Sequence, residues 1–162
     1  MRPQPPFTFF FTEAHPFSQW YRSRFEALGH VFGCAEQYMM FGKATLFGDD
    51  EIGRQILAAD HPRQHKALGR KVRGFDDAVW KRERERIVHA GSHAKFTQNP
   101  ELRAALVATA GTTLVEASPY DRIWGIGLAA TDPRAQDPAQ WRGQNLLGKI
   151  LTRLRDELIA AQ

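Results

Sequence analysis

Cysteine is nearly absent from this chain. Cys34 is the only cysteine among 162 residues, which excludes an internal disulfide and a zinc cluster built from cysteines. Uninterrupted apolar runs of about 18 residues, the length that spans a bilayer, are also missing. Residues 1–6 are proline-rich and lead into an aromatic segment rather than the apolar centre of a signal peptide. We therefore expect a cytoplasmic protein that has no membrane partner.

The charge balance favours an anionic ligand without identifying it. The chain has 22 lysines and arginines against 18 acidic residues, a net charge of +4, and these cations are scattered along the sequence. Such a balance suits phosphate groups but also describes many proteins that bind no nucleic acid. With 43% hydrophobic residues, the length suits one core. We expect a flexible arm at residues 1–6 and a single domain over residues 7–162.

Hydrophobic periodicity and capping residues predict a mainly α-helical domain with a few short β-strands. The predicted strands are residues 7–11, a hairpin within residues 20–32, residues 112–118 and residues 123–127. The predicted helices cover residues 35–47, follow Asp49 or Asp50, begin at Pro62, follow Asp76 or Asp77, begin at Pro100, and begin near Gly143.

Glu36 and Lys43 are the first ionisable residues that stand in apolar surroundings. Their seven-residue spacing is about two helical turns, so both side chains project from one stripe of the predicted helix. An exposed charged stripe would have the same spacing. The methionine and aromatic residues between them favour a partly buried face.

Glu116 and Asp121 form a second pair of carboxylates, close to the indole of Trp124. Glu116 lies in a short apolar strand, where burial without a partner would be costly. Two such carboxylates in different surroundings can supply one protonated acid and one ionised group. A solvent-facing glutamate and a turn-forming aspartate would give the same pattern.

Residues 143–145 open the last predicted helix with the sequence Gly-Gln-Asn. Free backbone N–H groups and the close approach that glycine permits would suit a phosphate. An ordinary helix start with Asn145 near the cap is the alternative. The histidine pairs 61/65 and 89/93 are interrupted by Pro62 or by Gly91 and Ser92, so we predict no metal site.

Several of these segments together resemble the NADAR family in the order in which they occur. The resemblance covers roughly residues 7–158, and a series of motifs in register is far more specific than any single motif. The matching segments are residues 17–21 (FSQWY), 36–44 (EQYMMFGKA), 69–72 (GRKV) with Trp80, 95–99 (KFTQN), 114–119 (LVEASP) with Asp121, 124–127 (WGIG) and 141–148 (WRGQNLLG).

The resemblance implies cleavage of the bond between C1 of a ribose and a base or amine, without a metal or another cofactor. The ribose would carry a phosphate or an ADP group, as in aminopyrimidine intermediates of riboflavin synthesis or ADP-ribosylated guanine. A free metabolite and a modified nucleic acid both remain open as substrates, as does the oligomeric state. A non-catalytic module that binds ADP-ribose or NAD is the alternative function.

The resemblance also assigns expected roles to particular residues. Glu36, Lys43, Glu116 and Asp121 are the expected catalytic residues, with Glu36 or Asp121 as the carboxylate that supports the ribose cation. Lys43 would act through its charge or as the amine of a Schiff base. The expected substrate-binding residues are Trp20, Tyr38, Arg70, Trp80, Lys95, Phe96, Trp124, Gly125, Gly143 and Asn145.

Overall fold

The computed structural model describes residues 6–162, so most of the predicted arm at residues 1–6 lies outside the described residues. In chain order the elements are β1 (Phe7–Phe10), β2 (Phe25–Ala27), β3 (His30–Phe32), α1 (Ala35–Leu46), α2 (Asp50–Ala58), α3 (Pro62–Gly69), α4 (Asp77–Gln98), α5 (Pro100–Val107), β4 (Thr113–Glu116), two 3-10 helices (Pro133–Gln136 and Pro138–Gln140) and α6 (Leu146–Ala160). The prediction of a mainly α-helical fold with a few short strands is confirmed. Across residues 6–162, every helix is too short or too polar to cross a membrane.

The chain falls into two compact units. The central unit is Gln19–Pro100, and the terminal unit combines Met1–Ser18 with Glu101–Gln162. Each unit brings together different members of the predicted site. A single domain over residues 7–162 stays a prediction.

The helices of the central unit begin where the sequence places capping residues. The Asp49 side chain accepts a hydrogen bond from the Ile52 backbone N–H at the start of α2. His61 caps α3, with Pro62 in its first turn, and the Asp76 carboxylate caps α4. These side chains satisfy backbone N–H groups that have no partner inside the helix.

Close packing around α1 depends on glycines in the central unit. A Cβ atom built on Gly69 of α3 would lie 2.0 Å from the Met40 sulfur, and one on Gly91 of α4 would lie 2.4 Å from the Tyr38 ring. Larger residues would force these helices away from α1, so both glycines permit the observed helix packing.

The predicted hairpin is confirmed, with strands that are shorter than the alternating pattern indicated. β2 and β3 pair antiparallel from Phe25↔Phe32 to Ala27↔His30, and both turn residues, Leu28 and Gly29, have positive φ. On the outer edge of β2, the Gln98 side chain accepts from the Glu26 N–H and donates to the Glu26 carbonyl. One side-chain amide thus replaces a neighbouring strand.

In the terminal unit, β1 and β4 form a parallel pair, and α6 packs against β4. The register runs from Phe7↔Thr113 to Phe10↔Glu116. A Cβ atom on Gly148 of α6 would lie 2.2 Å from the Leu114 carbonyl oxygen. The helix therefore approaches the strand at a distance that only glycine allows.

The predicted strand at residues 123–127 is wrong, because this segment is an irregular loop. Its backbone groups bind three different regions instead of one partner strand. The Ile126 N–H donates to the Glu116 carbonyl, the Gly127 N–H donates to the Asp121 carbonyl, and the Ile126 carbonyl accepts from the Arg142 N–H. Hydrogen bonding that changes partner at successive residues builds no ladder.

Candidate active site

Lys43 lies near the end of α1 against two aromatic rings. Its Nζ atom is 4.7 Å from the centroid of the Phe75 ring and 5.6 Å from a ring of Trp80. Trp80, in the first turn of α4, is buried, whereas Phe75 precedes that helix and is 45% exposed. A cation is attracted to the face of an aromatic ring, so both rings favour this position of the amine.

Glu36 and Lys43 interact electrostatically, as their spacing on α1 predicts. Glu36 is 5% exposed, while Lys43 is half-buried. Burial lowers the pKa of the Lys43 ammonium below its usual value; the Glu36 carboxylate opposes this lowering and the Arg70 guanidinium adds to it. Because desolvation outweighs the attraction of Glu36, more of this amine is neutral at a given pH than for an exposed lysine.

The loop from α3 to α4 carries Arg70 and Phe75 and is fixed at its middle by an ion pair. The Arg73 guanidinium donates to both oxygens of the buried Asp49 carboxylate at 3.2 and 2.9 Å, and the Arg73 backbone N–H donates to the same carboxylate at 2.8 Å. These hydrogen bonds hold the pKa of Asp49 well below its usual value. The loop that carries Arg70 and Phe75 therefore has a defined conformation.

Three of the predicted aromatic contacts have packing partners inside the central unit. The Tyr38 ring lies 5.2 Å from the Phe32 ring and is buried, and Phe96 is fully buried. Trp20 is half-buried, with its ring 6.2 Å from that of His61. These contacts explain why the residues are aromatic, and their contact with a ligand stays a prediction.

Lys95 is one of the expected substrate-binding residues, but it lies in the interior of the central unit. It is 1% exposed, and its Nζ atom is 5.7 Å from the Tyr21 ring. Burial lowers the pKa of Lys95 to about 7, against a smaller opposing effect of Cys34. Phosphate binding by Lys95 stays a prediction.

Cys34 forms a buried pair with His65. The Cys34 sulfur is 3.6 Å from His65 Nδ1, and His65 Nε2 is 2.7 Å from the Ala59 carbonyl oxygen. That carbonyl can only accept, so Nε2 carries the proton and Nδ1 accepts from the thiol. Burial raises the pKa of Cys34 and lowers that of His65, which keeps both groups neutral. Cys34 is therefore a small buried thiol.

In the terminal unit, Glu116 is the last residue of β4 and its backbone is fixed by α6. The Glu116 N–H donates to Asn145 Oδ1 at 3.0 Å, and the Asn145 amide donates to the Leu114 carbonyl at 3.1 Å. Asn145 is completely buried, so its amide is committed to the strand. Substrate contact by Asn145 stays a prediction, but its observed role is to position the strand that carries Glu116.

Asp121 shapes the turn that follows β4. Its Oδ1 atom accepts from the N–H groups of Ile123 and Trp124, both at 2.8 Å. Gly125 fits beneath this turn, because a Cβ atom there would lie 2.9 Å from the Glu116 carbonyl oxygen and 3.0 Å from that of Asp121. The structure therefore brings Glu116, Asp121, Trp124 and Gly125 together within this unit.

The expectation of free N–H groups at the start of α6 is wrong for residues 144–147. Those four N–H groups donate to the carbonyls of Arg122, Gly125, Ile123 and Trp124, respectively. A Cβ atom on Gly143 would lie 2.3 Å from the Gly125 carbonyl oxygen, so this glycine permits close contact between loops. These groups are bonded within the fold, which removes the argument for a phosphate cradle built from them.

Sequence reasoning missed exposed aromatic residues next to predicted site residues. Phe75 follows Gly74 in the loop before α4 and is 45% exposed. Tyr120 precedes Asp121, is 88% exposed, and lies 6.5 Å from the ring of Phe11. The available signal was a large aromatic residue in a loop between turn residues, where no core position is expected.

The fold and the central site define a class of small, mainly helical proteins in which an amine and a buried carboxylate share one helix beside aromatic rings. The sequence pattern described as the NADAR domain matches residues 8–159 of this chain. The chain belongs to the NADAR domain family, which confirms the resemblance.

Relatives of this chain include proteins from a virus, a plant and a bacterium. N-glycosidase R617 of Acanthamoeba polyphaga mimivirus is 43% identical over 148 residues, which cover 88% of this chain and 87% of that protein. The chloroplastic riboflavin biosynthesis protein PYRR of Zea mays is 32% identical over 67% of this chain, but only 16% of that protein is matched. The NMR structure of Escherichia coli YbiA superposes with a TM-score of 0.79 at 26% identity, covering 98% of this chain and 88% of that one.

Proposed function

We propose that this chain is a hydrolase that cleaves the N-glycosidic bond between a phosphoribosyl or ADP-ribosyl group and a base or amine. Membership in the NADAR domain family and the similarity to N-glycosidase R617 support the reaction type. The similarity to a plant riboflavin biosynthesis protein supports aminopyrimidine intermediates as one substrate class. ADP-ribosylated guanine, free or in nucleic acid, is the other.

The observation that carries this proposal is the half-buried amine of Lys43, beside Glu36 and between Phe75 and Trp80. Cleavage of a ribosyl C–N bond develops positive charge on the ribose ring. A buried carboxylate near C1 stabilises that charge, which is the role we assign to Glu36. Asp121 is the less suitable carboxylate, because its Oδ1 atom already accepts two backbone hydrogen bonds.

Lys43 then supplies the nucleophile. Its neutral amine forms a bond to C1, the bond from C1 to the base breaks, and the base leaves with that electron pair. The proton lost by the amine passes through Glu36 to the base. The bond from C1 to the ring oxygen then breaks, the oxygen keeps the electron pair and takes a proton from water, and the lysine adduct becomes a protonated imine. Water adds to C1, the bond from C1 to Nζ breaks, and ribose leaves while the amine is regenerated and the proton returns to solvent. The lowered pKa of Lys43 supports this route because only the neutral amine attacks.

The remaining predicted residues take supporting roles in this proposal. Arg70 is exposed and cationic near Lys43, which suits contact with a substrate phosphate. Trp80 contributes a ring beside the amine, and Trp124 a half-buried ring beside Asp121. Glu116, held by Asn145, remains a proposed catalytic carboxylate.

Product analysis tests the reaction. The purified protein is incubated, without added metal, with a phosphoribosyl-aminopyrimidine and, separately, with an ADP-ribosylated guanine oligonucleotide. Mass spectrometry should detect the released base and a ribose product from at least one substrate. Unchanged substrate that binds and dissociates intact would overturn the hydrolase and favour a binding module.

Borohydride trapping tests the lysine. Borohydride added during turnover should reduce the imine and leave a stable adduct on Lys43, and Lys43→Arg should form none because a guanidinium stays protonated. Lys71→Arg, at an exposed lysine on the same loop as Arg70, is the matched control and should be trapped like the parent. An adduct that persists in Lys43→Arg contradicts the assignment.

A further inference from the structure

Phe75 has no evident role in the core of the central unit. Its ring is 45% exposed, whereas Trp80, the other ring beside Lys43, is 9% exposed. Its ring contacts that of the half-buried Phe47, which lies 5.4 Å away at an angle of 62°. Exposed apolar surface gains nothing from the hydrophobic effect, and the position of this ring beside the proposed catalytic amine makes it a candidate ligand contact.

The loop that carries Phe75 is held on both sides of this residue. Before it, Arg73 is bound through its side chain and its backbone N–H to Asp49. After it, the Asp76 carboxylate accepts from the N–H groups of Ala78 and Val79 and starts α4. Gly74, with a φ of 77°, makes the turn between these anchors. The ring is therefore presented at a fixed place.

The distance between Phe75 and Lys43 places the ring beside the reacting bond. An attacking amine stands about 3 Å from C1 when it reacts. The base is bonded to that same C1 atom, and the Phe75 centroid is 4.7 Å from Nζ. A base bonded to that C1 atom is within reach of the ring, and aromatic rings pair at centroid separations of about 4.5–7 Å.

We propose that Phe75 is a specificity-determining residue that stacks on the leaving base and so selects aromatic heterocycles over leaving groups without a ring. This inference rests on the proposed function. Arg70 is a cation near Lys43 that suits the substrate phosphate, and Glu36 supplies the negative charge that the cationic transition state requires. The neutral ring of Phe75 complements these charged groups by recognising the flat base.

The test compares two leaving groups in three variants. Phe75→Leu keeps an apolar side chain and removes the flat face, Phe75→Trp keeps a flat face, and Phe41→Leu makes the same change on α1 at a position about 200° around the helix from Lys43. The substrates are a phosphoribosyl-aminopyrimidine and a phosphoribosylurea, which has no aromatic leaving group. Thermal melts verify that each variant folds.

For the aminopyrimidine, Phe75→Leu should lower kcat/KM about tenfold, mainly through KM, because stacking of one base on an aromatic side chain has about this effect. Its kcat/KM for the phosphoribosylurea should stay within about twofold. Phe75→Trp should restore the preference, and Phe41→Leu should keep the parent values. Equal losses on both substrates, or no loss on either, would overturn the stacking role.

A failure of the proposed function would be distinguishable. If the parent cleaves neither substrate, calorimetric titration with the phosphoribosyl-aminopyrimidine still measures the contribution of Phe75 to binding. A Kd that rises about tenfold in Phe75→Leu but not in Phe41→Leu would support stacking by a protein that only binds its ligand. An unchanged Kd would overturn it.

Discussion

Replacing Asn145 should destabilise the protein more than most single substitutions. Its amide donates to the Leu114 carbonyl and accepts from the Glu116 N–H, and the residue is completely buried. Asn145→Ala leaves both backbone groups without this partner. A buried polar group that loses its hydrogen bond costs about 1–3 kcal/mol. Two such groups account for most of the expected loss in the free energy of unfolding.

The backbone of Asn145 adds a second contribution. Its φ of 53° and ψ of 39° lie in the left-handed region, which asparagine tolerates better than alanine. The alanine variant should therefore lose about 3–7 kcal/mol in total. Asn145→Gly removes the same amide without the backbone strain, so it should be about 1 kcal/mol more stable than Asn145→Ala.

Urea unfolding followed by tryptophan fluorescence measures these losses, and thermal melts should show Asn145→Ala about 6–28 °C below the parent. Asn99→Ala is the matched control. The Asn99 amide also makes two hydrogen bonds to the backbone, by donating to the carbonyls of Arg24 and Lys95, but at a half-exposed position where water can replace it. A loss for Asn145→Ala no larger than that for Asn99→Ala would refute the reasoning, as would a glycine variant that is less stable than the alanine variant.

Four further outcomes are expected. Glu36→Gln should lower kcat and move the pH at which activity rises to lower pH, because Glu36 raises the pKa of Lys43. Arg70→Gln should move that pH higher, because Arg70 lowers the pKa of Lys43. pH–rate profiles of the two variants that shift in the same direction would contradict this. Glu116→Gln should fold normally and lose most turnover in a product assay, and a parent-like rate would leave Glu116 only a structural role. Gly148→Ala should melt well below the parent, since its new Cβ atom would overlap the Leu114 carbonyl, and a similar Tm would show that α6 can shift. The parent should gain stability between about pH 7 and 10, where the unfolded state holds a proton that buried Lys95 has lost, and Lys95→Met should reduce that gain in urea titrations.

The helix starts could be predicted because their causes lie within a few residues. Asp49, Asp76 and Pro62 act on N–H groups in the next turn, so the sequence around each of them contains the whole explanation. The spacing of Glu36 and Lys43 is equally local, since it follows from the geometry of one helix. The resemblance to the NADAR family then indicated the expected catalytic roles of these two residues.

The errors concern segments whose partners are distant in sequence. The N–H groups at residues 144–147 bind carbonyls of residues 122–125, about 20 positions earlier, so an apparently open helix start is occupied. The same loop was predicted to be a strand because isoleucine and tryptophan favour strands. Likewise, nothing local shows that Phe75 is exposed beside Lys43, because that contact depends on how the loop meets α1.

Two buried amines in the central unit show why accessibility has to be weighed with pKa. Lys95, with a pKa of about 7, would on titration alone be the better nucleophile at neutral pH. At 1% exposure, however, its Nζ atom is closed to a ribose, whereas Lys43 is half-buried next to a half-exposed ring. The burial that makes Lys95 neutral also keeps it from substrate, and partial burial lets Lys43 be both reachable and more often neutral than an exposed lysine. Peptide mapping after borohydride reduction should therefore find the adduct on Lys43, and an adduct on Lys95 would show that the interior opens during turnover.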